Sequence, residues 1–209
     1  ALQARLPEAM TLDFDDLIKL REVAKAADVI VIGPGLGLER LDLLTEVLNL
    51  LTENQKLVID GSALTLFARE HLDLPFPENT VFTPHEMELE RLSGLKIGQQ
   101  TKEEVQDFVN QLGAIVVAKS SETRIFAPNR ESFILKIGSP AQATGGMGDT
   151  LAGMVGGFLA QFHGETEEVV AAATYLHSLI ASVLARKTYV VLPSRLIEEI
   201  PLFMKKYEC

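Results

Sequence analysis

A single cysteine, Cys209, stands in a chain of 209 residues. That excludes an internal disulfide framework and suits a reducing compartment, so the fold must rest on burial. Basic residues are also in short supply: 19 Lys and Arg face 29 Asp and Glu, a net charge of −10. A broad basic face for nucleic acid is excluded on that balance. A phosphate ligand is not, because backbone amides can hold one without cationic side chains. Nor does any stretch read as a membrane span. The longest run without formal charge is 169–185, and it carries Thr174, Tyr175, His177, Ser178 and Ser182. A span needs about 20 mainly apolar residues, so a core helix is the better reading. No signal peptide is visible, and the chain opens on Ala1 rather than Met, so the expectation is that something upstream was removed or omitted. Repeats, low-complexity tracts and interdomain linkers are missing too. The length then suits one α/β domain over 1–209, large enough to bury roughly 70% of its unfolded surface.

What is there is an alternation. Short apolar runs at 28–32, 56–60, 79–83 and 114–118 read as buried parallel strands. Helical spacing fills the gaps at about 13–27, 39–52, 61–69, 86–92 and 101–111, with Thr101 and Glu104 placed for a capping box. Two further short strands are expected at 124–128 and 132–137, then helices at 151–162, 165–186 and 194–207. Strands alternating with helices in this way predict a mostly parallel sheet with helices on both faces.

Ligands of such sheets bind beyond the carboxyl ends of the strands. Four segments fall there: 33–37, Asp60-Gly61, 83–88 and 119–123. A fifth, 143–153, is the most distinctive in the chain. Gly145, Gly146 and Gly148 let the backbone turn tightly just before a helix, where free N–H groups and the positive dipole end favour an anion. Asp149 is the odd member, since a carboxylate repels the phosphate that such a nest invites. It reads equally as a helix cap or as a general base beside the phosphate.

Gly33-Pro34-Gly35-Leu36-Gly37 is not a dinucleotide fingerprint, because Leu38 stands where the third glycine is needed. On its own it reads as a tight strand-to-helix turn. His85 and Glu88, three apart, share a helix face. They could bind a metal or its water, touch a substrate, or simply cap the helix after Pro84. Two ligands fall short of a zinc site. Gly153, Gly156 and Ala160 read as a small-residue stripe for close packing, and His177 as a hydrogen-bonded core residue.

Taken together, GPGLG at 33–37, TPHEME at 83–88 and ATGGMGD at 143–149 resemble the carbohydrate-kinase-related NAD(P)H-hydrate dehydratases of the ribokinase-like superfamily. The resemblance implies a three-layer fold and repair of hydrated NADH or NADPH with ADP or ATP and magnesium. It implies Asp149 as the base, and Gly145, Gly146, Met147 and Gly148 as the anion hole. Gly35, Gly37 and His85 would touch the hydrated nicotinamide together with Asp149. Lys119, Ser120, Ser121, Glu122 and Thr123 would lie along the nucleotide, and Glu88 would join the magnesium network indirectly. A cytoplasmic homo-oligomer is implied as well. Two departures stand out. Lys119-Ser120 replaces the family's Lys-Gly, and the glycine- and alanine-rich N-terminal segment of family members precedes the point where this sequence starts.

The implied chemistry is self-consistent. Hydroxide is a poor leaving group from the hydrated ring and phosphate a good one, so a kinase-like site suffices for dehydration. The alternatives are a kinase of the same superfamily that releases the phosphate ester of a small alcohol, and a nucleotide-binding regulator without turnover.

Overall fold

The computed structural model describes residues 6–207, and Cys209 lies outside them. Six strands form one sheet in the order β1 to β6. The first four, β1 (Val29–Ile32), β2 (Lys56–Ile59), β3 (Thr80–Phe82) and β4 (Ile115–Ala118), pair in parallel. The last two, β5 (Arg124–Phe126) and β6 (Phe133–Ile134), continue antiparallel. The parallel strands are apolar at nearly every position because helices cover both faces.

One face packs its alternate side chains, Ile32, Leu57, Ile59, Phe82 and Val116, against α2 (Leu41–Leu50), α3 (Gly61–Arg69), α4 (Glu86–Ser93) and α5 (Lys102–Leu112). The other face presents Val58, Val81, Ile115 and Val117 to α6 (Met147–Gln161) and α7 (Thr166–Leu184). Three layers result, as expected. The first helix, α1 (Leu17–Ala26), lies against α2, and the last, α8 (Pro193–Tyr207), lies against α6 and α7.

α7 is, among the described residues, the one helix long and apolar enough to cross a membrane. Its Val170, Ala173, Ile180 and Ala181 have no exposed surface and close the core. The stripe on α6 packs only in part. A Cβ on Gly156 would overlap Val31 Cγ2 on β1, whereas one on Gly153 would meet nothing within 4 Å.

Three local expectations need correction. Helix α6 begins at Met147, four residues before the expected 151, so Asp149 is its third residue and not its cap. Gly146 precedes the helix at φ 83°, a left-handed conformation that glycine takes without a Cβ clash. The strand expected at 132–137 is only Phe133–Ile134; Leu135 N–H still donates to Thr123 O at 3.0 Å, and the chain departs after it toward Gly138, whose φ is 155°. Finally, Thr101 Oγ1 accepts from the Glu104 N–H at 3.2 Å, but the reciprocal capping box forms at His85 and Glu88 instead.

Candidate functional site

The carboxyl ends of the parallel strands are tied into one edge by hydrogen bonds beyond the strands themselves. Asp60 N–H donates to Ile32 O at 3.1 Å, Thr83 N–H to Ile59 O at 3.1 Å, and Lys119 N–H to Pro84 O at 2.8 Å. The segments 33–37, 60–61, 83–88 and 119–123 therefore share that edge. Gly33 sits directly on Asp60: at φ 123° a Cβ there would overlap the Asp60 carbonyl oxygen.

Beyond this edge opens a cavity of about 1000 Å³. Of the residues that the resemblance assigns to the site, it is lined by His85, Lys119, Ser120, Ser121, Glu122, Thr123, Met147 and Gly148. Gly35, Gly37, Glu88, Gly145, Gly146 and Asp149 are not among its lining residues. Asp149 is exposed and borders a second, apolar groove of about 520 Å³ along α6 and α8, with Gly153, Gly157, Ile197 and Ile200. Successive residues of one helical turn, Gly148 and Asp149, thus face different hollows.

His85 is the cap of α4. Its Nδ1 accepts from Met87 N–H at 3.1 Å and Glu88 N–H at 3.4 Å, while Glu88 Oε2 accepts from His85 N–H at 2.9 Å. With Nδ1 accepting, the neutral ring carries its proton on Nε2, which stands 3.6 Å from Glu88 Oε2. The imidazole is half exposed and lines the cavity, so capping leaves one edge of it available to a ligand.

A charge cluster lies beneath. Lys119 Nζ donates to Asp60 Oδ1 at 2.8 Å and stands 4.0 Å from Glu88 Oε2. The same ammonium is 3.4 Å from where a Cβ on Gly148 would be. The loop after β4 and the first turn of α6 therefore meet at a cation and a row of helix-end amides, an arrangement suited to phosphate oxygens.

The family model described as NAD(P)H-hydrate dehydratase matches residues 1–202. The chain belongs to that family. An ADP-dependent (S)-NAD(P)H-hydrate dehydratase of Enterococcus faecalis is 50% identical over 208 residues, covering 99% of this chain and 71% of its own. A solved ribokinase-like superfamily protein from the same organism superposes with a TM-score of 0.96 at 49% identity, over 99% of this chain and 72% of that one. The ADP/ATP-dependent NAD(P)H-hydrate dehydratase of Bacillus subtilis, crystallised with ATP and Mg2+, has a TM-score of 0.81 at 27% identity, over 99% and 76% of the two chains.

In this NAD(P)H-hydrate dehydratase family member, sequence reasoning overlooked the far wall of the cavity. Residues 135–140 line it as the chain leaves the sheet, and α7 contributes Thr174, His177 and Ser178. Thr174, His177 and Ser178 stand at i, i+3 and i+4, a spacing that puts them on one face of the helix.

Burial pushes the His177 imidazole down to about 4, with the Lys119 charge adding to the effect and a hydrogen bond with the Met147 backbone opposing it. The native protein keeps this ring neutral while the unfolded chain protonates it near 6.5. Between these values the unfolded state binds more protons, so the contribution of His177 to stability is whole above about 6.5 and drains as pH falls toward 4. His177→Gln, which does not titrate, should escape the loss. Urea denaturation at about pH 7.5 and pH 5 should show the parent losing about 2 kcal/mol more than the variant. Equal losses would mean that the ring titrates alike in both states.

Among the described residues, no three of His, Cys, Asp and Glu gather into a metal cage. The donor set fits a magnesium ion held mainly by nucleotide phosphates, which needs only one or two carboxylates. Glu88, the carboxylate singled out for that ion, has its Oε2 engaged by the cap and does not line the cavity.

Proposed function

We propose that this chain restores hydrated NADH or NADPH to the reduced dinucleotide, consuming ADP or, less readily, ATP. The observation that carries the reading is the meeting of residues 119–123 and the α6 N-terminus across one cavity, with Lys119 Nζ beside Gly148. Relatives named ADP-dependent dehydratases support it and favour ADP as donor.

In this reading the adenosine lies along Lys119, Ser120, Ser121, Glu122 and Thr123, with its terminal phosphate at Gly145, Gly146, Met147 and Gly148. Gly35, Gly37 and His85 hold the hydrated ring so that its hydroxyl comes to the first turn of α6, where Gly148 borders the cavity and Asp149 the neighbouring groove. Asp149 takes the hydroxyl proton as the oxygen attacks the terminal phosphorus, and AMP or ADP leaves. The ring nitrogen's lone pair then expels inorganic phosphate by breaking the C–O bond, and a proton lost from the neighbouring carbon restores the dihydronicotinamide. The anion hole stabilises charge on the phosphoryl oxygens as they transfer. Magnesium, held by phosphate oxygens near Glu88, would neutralise part of that charge. The proposal extends to one domain over 1–209, a homo-oligomer and a cytoplasmic setting.

Incubation with hydrated NADH and either nucleotide tests the reading. Recovered absorbance of reduced nicotinamide is the expected result. A stable phosphate ester would instead mark a small-alcohol kinase, and binding without turnover a regulator.

His85 can be examined separately because its two nitrogens have different work. His85→Asn preserves a good cap and removes the edge facing the cavity. It should raise KM for hydrated NADH about tenfold while leaving nucleotide affinity and folding unchanged. His85→Ala should add a stability loss of about 1 kcal/mol. A parental KM in His85→Asn would reduce His85 to a helix cap.

A further inference from the structure

Lys119 stands in an electrostatically awkward place. Its ammonium lies beside the first turn of α6, the positive end of that helix, where a cation is repelled. Two carboxylates offset the repulsion, and they are unequal. Glu88 Oε2 stands 4.0 Å away and is already shared with the His85 N–H. Asp60 Oδ1 accepts from Nζ at 2.8 Å, and its side chain is 3% exposed against 20% for the lysine.

Asp60 is itself held from several sides. Thr83 Oγ1, fully buried, donates to the same Oδ1 at 2.7 Å. The Asp60 N–H is bonded to Ile32 O, and Gly33 sits against its carbonyl. A desolvated carboxylate is costly unless it is paired and hydrogen-bonded. Here three strand ends fix one, and it grips the ammonium that borders the cavity.

We propose that Asp60 is a positioning residue, which fixes the Lys119 ammonium next to Gly148 as a preset cation for the nucleotide's terminal phosphate. The inference rests on the nucleotide reading given above. A lysine left to itself would surrender its rotamer freedom on meeting the phosphate. With Asp60 already holding it, that loss falls at folding and not during phosphoryl transfer. The approaching phosphate also relieves the repulsion between the ammonium and the helix end, so the site is set to favour anionic nucleotides over the bare nucleoside.

The test is a double-mutant cycle on the full chain with Asp60→Asn, Lys119→Met and their combination. Calorimetric affinities for adenosine, ADP and ATP are read beside turnover of hydrated NADH. Asp60→Asn should leave adenosine affinity within about threefold of the parent, while ADP affinity and kcat each fall about tenfold or more. The combined variant should match Lys119→Met alone, since Asp60 then has no ammonium to hold. Losses that multiply in the combined variant, or equal losses for adenosine and ADP, overturn the proposal. Should Asp60→Asn not fold, Thr83→Val loosens the same oxygen more gently and should give the same pattern at about threefold, with parental values overturning it. A parent that binds neither nucleotide overturns the functional reading and this inference together, whereas an active parent with multiplying losses overturns the inference alone.

Discussion

Asp149→Asn should fold like the parent, bind nucleotide at least as tightly, and repair hydrated NADH roughly 100- to 10,000-fold more slowly. The structure sharpens this expectation by removing a competing role. Asp149 is the third residue of α6, and the residue before the helix is Gly146, which offers no side-chain cap. The side chain is exposed, so what Asn forfeits structurally is one negative charge near a helix N-terminus, worth about 0.3–1 kcal/mol. An amide cannot take the proton of an attacking hydroxyl, and that is where the large loss arises. Denaturation, nucleotide calorimetry and kcat on the same preparation separate the two effects. A parental rate in Asp149→Asn would leave Asp149 as a dipole partner and remove the base from the mechanism.

Gly33→Ala should cost at least about 3 kcal/mol of stability, or yield no folded protein at all. The position combines a φ of 123° with a Cβ that would overlap the Asp60 carbonyl oxygen and stand 3.0 Å from the Ala63 Cβ. Neither side can retreat. Asp60 is hydrogen-bonded to Ile32 O, and Ile59 before it is fully buried. Gly35→Ala is the informative contrast, because Gly35 has φ 68° and open space around it. Its left-handed backbone should cost about 1–2 kcal/mol, so a larger effect on KM than on stability would mark contact with the hydrated ring. Urea midpoints for the two variants should therefore differ widely, and similar midpoints would refute the close approach at Gly33.

The layers of the fold were legible because each parallel strand is an apolar run closed by a turn signal, as at Ile32-Gly33 and Ile59-Asp60-Gly61. Periodicity fails where burial is one-sided or brief. Phe133 and Ile134 form an edge strand exposed to solvent, and nothing in their pattern says that the chain leaves the sheet after Leu135. The start of α6 was misplaced for a related reason. Glycines 145, 146 and 148 all read as turn, yet only Gly146 adopts a positive φ, and Gly148 lies inside the helix. As for the site, the strand-end segments were visible as a set, while Thr83 gained meaning only from Asp60, distant in sequence, and the spacing of the α7 residues put them on one face without saying that the face borders a cavity. Asp60 is the clearest instance. Lys119 is its partner across 59 positions, and a contact of that span has no local signature.

Gly156 on α6 makes the helix a lever. Its missing side chain lets the helix rest against Val31, and this fulcrum lies nine residues from Met147, roughly 13 Å along the axis. One arm carries the glycine turn that would receive phosphate, and β1 beneath the fulcrum runs directly into the 33–37 turn. The seat of the glycine turn is therefore set in part at a contact outside the lining of the cavity. A single methyl inserted there must either displace the Val31 side chain or lift the helix from the strand. The first turn of α6 thus depends for its position on a residue with no chemistry of its own.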